Sequence, residues 1–116
     1  MSNKPSEPEE VDALGRFSEP ALLILASLAG SPKHGYAMME DIARLSGTRL
    51  RATTLYAALA RLEQRGWIEA LPIEDRRRPY RLTAAGRAML REQLKSMEQF
   101  AAEGLQRLQH SINWAT

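Results

Sequence analysis

Residues 51–83 read RATTLYAALARLEQRGWIEALPIEDRRRPYRLT. Leu55, Leu59 and Leu62 fall four and three residues apart, which marks one face of an α-helix, and the pattern stops at Gly66. Beyond Gly66 the period shortens to two. Trp67, Ile68, Glu69, Ala70, Leu71 and Ile73 predict a strand, with Tyr80, Arg81 and Leu82 as its short partner. Between them, Glu74 to Pro79 carries the consecutive arginines Arg76, Arg77 and Arg78. That connection reads as a charged hairpin loop standing out into solvent, although it lacks the Asn-Gly signal of a tight turn.

Upstream, Gly35 opens a segment in which Met38, Ile42 and Leu45 recur at spacings of four and three until Gly47 ends it. Before that, Pro20 suits a first helical turn, and Ala21 to Leu28 is apolar nearly all round, the mark of a buried helix closed by Gly30 and Pro32. Downstream, Thr83 can cap a final helix whose stripe runs Leu90, Leu94, Met97, Ala101, Leu105, Leu108 and Ile112. The chain is therefore expected to be mostly α with a small β-hairpin. Three short helices, a hairpin and one long helix are, in that order, the elements of a winged helix-turn-helix plus a long C-terminal dimerisation helix. The expected division is an acidic tail over 1–16, a winged helix-turn-helix over 17–83 and the dimerisation helix over 84–116.

Composition narrows the function. The balance of 44% hydrophobic to 26% charged residues over 116 positions suits one globular core. With no cysteine there is no disulfide or thiolate site, and no apolar run is long enough to span a bilayer, so the cytoplasm is the expected location. Residues 1–20 hold two basic against five acidic residues, and residues 31–83 hold ten against six. The middle of the chain, not its start, is suited to meet a polyanion. His34 and His110 have no acid at a convincing spacing, there is no glycine-rich phosphate loop, and the Glu40-Asp41 and Glu74-Asp75 pairs sit in polar contexts. Catalysis, a metal and a cofactor are not expected.

From Glu19 to Leu90 the sequence resembles the PadR family of transcriptional regulators. The resemblance rests on His34-Gly35-Tyr36, on Thr54-Leu55-Tyr56, on LARLEQRGWI over Leu59 to Ile68, and on Pro79-Tyr80-Arg81-Leu82-Thr83 followed by Ala85 and Gly86. The chain departs from the family's pattern where a Ser-Pro-Gly-like segment usually precedes the Thr-Leu-Tyr triplet and a proline often follows it. Here Arg51-Ala52-Thr53 precedes and Ala57 follows. The resemblance implies a homodimer on double-stranded DNA, with Tyr56 on the DNA side. It also implies that the last helix pairs with its twofold mate, assisted by Leu22 and Leu25 of the first. A small hydrophobic or aromatic effector is a further implied partner, and Phe100 and Trp114 are candidates to line its pocket; interface packing is the other reading of that pair.

The residues make their own case for DNA. With Leu55, Leu59 and Leu62 facing a core, Thr53, Ala57, Ala60 and Gln64 lie opposite, flanked by Thr54 and Arg61 on one side and Tyr56 on the other. Small side chains let a helix enter a major groove about 12 Å wide, where threonine can hydrogen-bond, alanine can touch a thymine methyl and Arg61 can reach guanine or phosphate. Ala57 and Ala60 are equally explained as good helix formers. The candidate DNA-binding set is Lys33, His34, Tyr36, Arg51, Thr53, Thr54, Tyr56, Arg61, Arg76, Arg77 and Arg78. Two functions remain at this stage: a dimeric operator-binding repressor, and a winged-helix protein-interaction module that no longer binds DNA.

Overall fold

The computed structural model describes residues 19–115, with side chains over 19–111. The expected tail at 1–16 and the side chains of Ile112 and Trp114 lie outside the described residues. Helix α1 (Pro20–Gly30) starts on Pro20, whose fixed φ and missing N–H suit the first turn. It buries Leu23, Ile24, Leu25, Ser27 and Leu28. A buried hydroxyl needs a partner, and Ser27 Oγ donates to Asp41 Oδ2 at 2.7 Å.

Helix α2 (Gly35–Ser46) buries Met38 and Ile42 and ends on Gly47, whose φ of 79° is the left-handed cap that glycine adopts freely. Leu45, read as the third member of that core stripe, is 57% exposed. Helix α3 (Ala52–Gln64) buries Leu55, Ala58, Leu59 and Leu62, and Leu50 plugs the connection before it.

Two findings correct the expected β-structure. Lys33–His34, just before α2, forms a short strand β1 that was not expected, and it pairs antiparallel with β3 (Pro79–Leu82) in the register Lys33 to Tyr80 and His34 to Pro79. With β2 (Ile68–Ala70) on the other side, the result is a three-stranded sheet in the order β1-β3-β2 rather than an isolated hairpin. A two-residue strand has no period to detect. The β2 strand is also shorter than expected: Leu71 N–H still donates to the Pro79 carbonyl at 2.8 Å, but Pro72 has no N–H and Ile73 turns outward.

The hairpin closes again at its tip, where Glu74 and Arg77 exchange both backbone hydrogen bonds at 2.8 Å around Asp75 (φ 48°) and Arg76 (φ 66°). Both central residues have the positive φ of a type I′ turn. The tight turn is thus present without its usual Asn-Gly.

Helix α4 (Ala84–Ala115) follows at once. Its first turn is clasped to the β2 entrance: Thr83 Oγ1 accepts from Gly86 N–H at 3.1 Å and donates to the Gly66 carbonyl at 2.6 Å, while Thr83 N–H donates to the Trp67 carbonyl. Gly86 packs so closely that a β-carbon there would overlap the Trp67 carbonyl oxygen. Leu90 completes the common core with α1, α2 and α3. Past that point α4, about 48 Å long at 1.5 Å per residue, runs on with Phe100 81% and Leu105 67% exposed. Among the described residues no helix is long and apolar enough to cross a membrane.

Candidate nucleic-acid interface

The faces of α3 separate as its period requires. Leu55, Ala58, Leu59 and Leu62 are buried, while Thr53, Thr54, Tyr56, Ala57, Ala60, Arg61 and Gln64 are exposed. The exposed face carries two threonines and two alanines where an ordinary surface helix carries longer side chains. Its N-terminus has no side-chain cap, with Arg51 at the capping position, so first-turn amides stay open to an anion.

Tertiary structure brings α2, α3 and the hairpin together at one place. His34, Gly35, Tyr36, Tyr56, Arg76, Arg77 and Arg78 surround a shallow hollow. Gly35 creates the fit, since a β-carbon there would overlap the Tyr56 hydroxyl. Tyr56 therefore lies against the opening turn of α2, a placement the sequence did not reveal although His34-Gly35-Tyr36 contains its cause.

The three hairpin arginines have different surroundings. Arg78 donates to the Leu71 carbonyl at 2.8 Å and braces the hairpin. An Arg77 guanidinium nitrogen lies 3.1 Å from His34 Nε2, whose ring also caps α2 by accepting from Ala37 N–H at Nδ1, 3.4 Å away. A neutral imidazole accepts at one nitrogen only, so the Arg77 contact at Nε2 and the cap at Nδ1 call for opposite tautomers of the ring. The side chain of Arg76, at the turn apex, makes no hydrogen bond or ion pair among the described residues, and neither do those of Arg51 and Arg61. Tyr80, partly buried behind the hollow, is held neutral: burial raises its pKa above the ordinary tyrosine value, Glu63 adds to the rise, and Arg78 opposes it.

Lys33 does not join this surface. Its side chain is only 17% exposed. The ammonium group donates to the Ser27 carbonyl at 2.6 Å and the Ser31 carbonyl at 3.0 Å, and lies 3.8 Å from Asp41 Oδ2. It ties the end of α1 to α2, which gives it a role inside the scaffold. Arg44, Arg49 and Arg81 are likewise matched, by Asp41, Glu40 and Glu69.

On the expected dimer surface, Leu25 and Leu90 are 4% exposed within the protomer's own core and offer almost nothing to a partner. Leu22 and Met97 are half-buried, and Leu94, Ala101, Leu105 and Leu108 are exposed. Phe100 lies on the same long helix, turned to solvent. Among the described residues no group of three His, Cys, Asp or Glu could hold a metal ion.

A trihelical core, an exposed lean third helix and an arginine-tipped hairpin beside it define a winged helix-turn-helix of the DNA-binding class. Residues 24–92 match the model of the transcriptional regulator PadR-like family, and the chain belongs to that family. It is a transcriptional regulator rather than an enzyme. Over 98 residues it is 38% identical to the transcriptional regulator Rv3488 of Mycobacterium tuberculosis, covering 82% of this chain and 91% of that protein. Over 82 residues it is 43% identical to an uncharacterized 37.1 kDa protein in transposon TN4556 of Streptomyces fradiae; this match covers 71% of this chain but only 24% of the length of that relative. A PadR family transcriptional regulator from Eggerthella lenta superimposes with a TM-score of 0.69 at 27% identity, over 87% of this chain and 90% of that one.

Proposed function

We propose that this regulator acts as a homodimer, inserting α3 of each protomer into successive major grooves of a palindromic operator, and that it represses transcription there. The carrying observation is the exposed α3 face of Thr53, Thr54, Ala57 and Ala60, flanked by Arg51 and Arg61, which have no acidic partner among the described residues. Tyr36, Tyr56 and the first-turn amides of α2 and α3 take the phosphates on either side, and Arg76 and Arg77 reach the neighbouring minor groove. Residues 17–83 read the DNA, and residues 84–116 set the distance between two copies. The exposed stripe of Leu94, Ala101, Leu105 and Leu108 supports the pairing, because a projecting helix of this length needs an apolar partner. A small hydrophobic effector near Phe100 would act by changing the separation of the two recognition helices, about 34 Å for half-sites one turn apart.

Fluorescence anisotropy of the labelled upstream promoter, at two salt concentrations and against scrambled competitor, tests the reading. The expected result is competitor-resistant binding with a steep salt dependence that Arg61→Ala and Arg76→Ala each reduce by about one unit of slope. Equal binding to scrambled DNA would move the assignment to the protein-interaction module.

A further inference from the structure

His34 stands where three elements meet. Its backbone belongs to β1 and pairs with Pro79 of β3, its position is the N-cap of α2, and its ring faces Arg77 of the hairpin. His34 and Arg77 are also the two residues shared by the hollow beside Tyr36 and Tyr56 and by a second hollow of about 480 Å³, which Ala37, Leu71, Pro72 and Glu74 help to line. The pair is the partition between them. Strand pairing fixes the His34 main chain and the neighbouring Lys33 is tied to α1, so the ring stays at the start of α2 when the Arg77 side chain moves.

The two contacts of that ring exclude each other. A guanidinium only donates, so Arg77, 3.1 Å from Nε2, needs the lone pair there and leaves the proton on Nδ1. The Ala37 amide, 3.4 Å from Nδ1, needs the reverse. The shorter contact is the one to Arg77, and in that form the Ala37 amide at the start of α2 goes without its cap. Arg77 has no acidic partner among the described residues, and a neutral imidazole is a weaker acceptor for a guanidinium than a phosphate oxygen.

We propose that His34 is a positioning residue that holds Arg77 in the DNA-free protein and releases it to phosphate by changing tautomer. The release, unlike the holding, rests on the reading of this surface as one that binds DNA. A phosphate oxygen takes the guanidinium, water removes the Nδ1 proton, and water delivers a proton to Nε2, so the ring is neutral before and after. The freed Nδ1 lone pair then accepts from Ala37 N–H and caps α2. The new Nε2–H faces the hollow as one more donor for the anion, beside Tyr36 and Tyr56. Because the cap replaces the lost Arg77 contact, the hairpin gives up its arginine at little cost. Engagement of the hairpin is thereby linked to order in the first turn of α2.

Long-range 1H–15N correlation of the ring nitrogens separates the two neutral tautomers from each other and from the cation. At about pH 8, above the ordinary histidine value of about 6.5, the full-length protein alone should show His34 as Nδ1–H, with the exposed His110 as internal reference. Arg77→Ala should convert His34 to Nε2–H and slow hydrogen exchange of the Ala37 amide about fivefold, the size of an ordinary side-chain cap. Arg76→Ala removes an equal charge next door and should do neither. Wild-type protein saturated with its upstream promoter duplex should show Nε2–H. An Nε2–H ring in the free protein, or an Nδ1–H ring that survives Arg77→Ala, would overturn the holding of Arg77. An Nδ1–H ring in the saturated complex would overturn its release. Failure of any complex to form would overturn the DNA reading and the release together, and the free-protein spectra would still judge the holding by themselves.

Discussion

The joint where α4 leaves the body and the hollow between α2, α3 and the hairpin are both built around a glycine, and they are built differently. At the joint, Gly86 lies against a backbone carbonyl, and the hydroxyl of Thr83 is committed to partners within the protein. At the hollow, Gly35 lies against the far end of a tyrosine ring, and a histidine meets two donors at opposite nitrogens, of which a neutral ring can accept at only one. One place has no slack and the other has several ways to rearrange. In the proposed dimer, a scaffold that holds two recognition helices at fixed spacing needs the first kind of contact, and a surface that fits itself to phosphates benefits from the second.

Breaking the joint should have the largest effect. Gly86→Ala gains helix propensity but drives a methyl into immovable backbone, and should cost about 3 kcal/mol, read from the urea midpoint at unchanged slope. Loss below about 1 kcal/mol would show that the joint yields and that the contrast with the hollow is false. Lys33→Met removes two charge-assisted bonds from the end of α1 and should cost about 2 kcal/mol of stability. Its salt slope for DNA should stay unchanged, because Lys33 faces the scaffold; a slope reduced by about one unit would put it back among the phosphate contacts.

The hollow should respond in the opposite way. Gly35→Ala pushes the Tyr56 ring aside, which the ring can accommodate, so stability should fall by less than about 1 kcal/mol while operator affinity drops roughly tenfold. Equal losses in both would make Tyr56 a packing residue. The smallest effect is expected at the hairpin apex. Arg76→Gly relieves a positive φ and should raise stability by about 0.5–1 kcal/mol, yet lower the salt slope by about one unit. Arg76→Ala, which keeps the strained φ, separates the two contributions: it should lower the slope equally without the gain in stability.

Regions where one residue type repeats on a helical period were the legible ones. Leu55, Leu59 and Leu62 determined α3 and, by exclusion, its exposed face, because burial of one stripe leaves the rest of the helix to solvent. The hairpin was legible from the change of period at Gly66, but its tip was not. Asp75 and Arg76 adopt a conformation that sequence assigns to glycine and asparagine, and only the ladder closed by Glu74 and Arg77 imposes it. Strand β1 was invisible for a related reason: two residues carry no pattern, and Lys33 and His34 become a strand only because β3 lies alongside.

The cations show the same division. By itself the sequence determined that the middle of the chain is basic, that the arginines concentrate between two strands, and that a helical stripe runs the length of α4, since these follow from composition and spacing. Which of those groups are available was decided by tertiary structure. Lys33 is consumed by carbonyls at the end of α1 and Arg78 by the hairpin's own backbone, whereas Arg76 keeps its charge without a protein partner among the described residues. Leu25 and Leu90 vanish into the protomer's core while Leu105 stays exposed. Spacing says which side chains share a face, and only packing of one element against another says what that face meets.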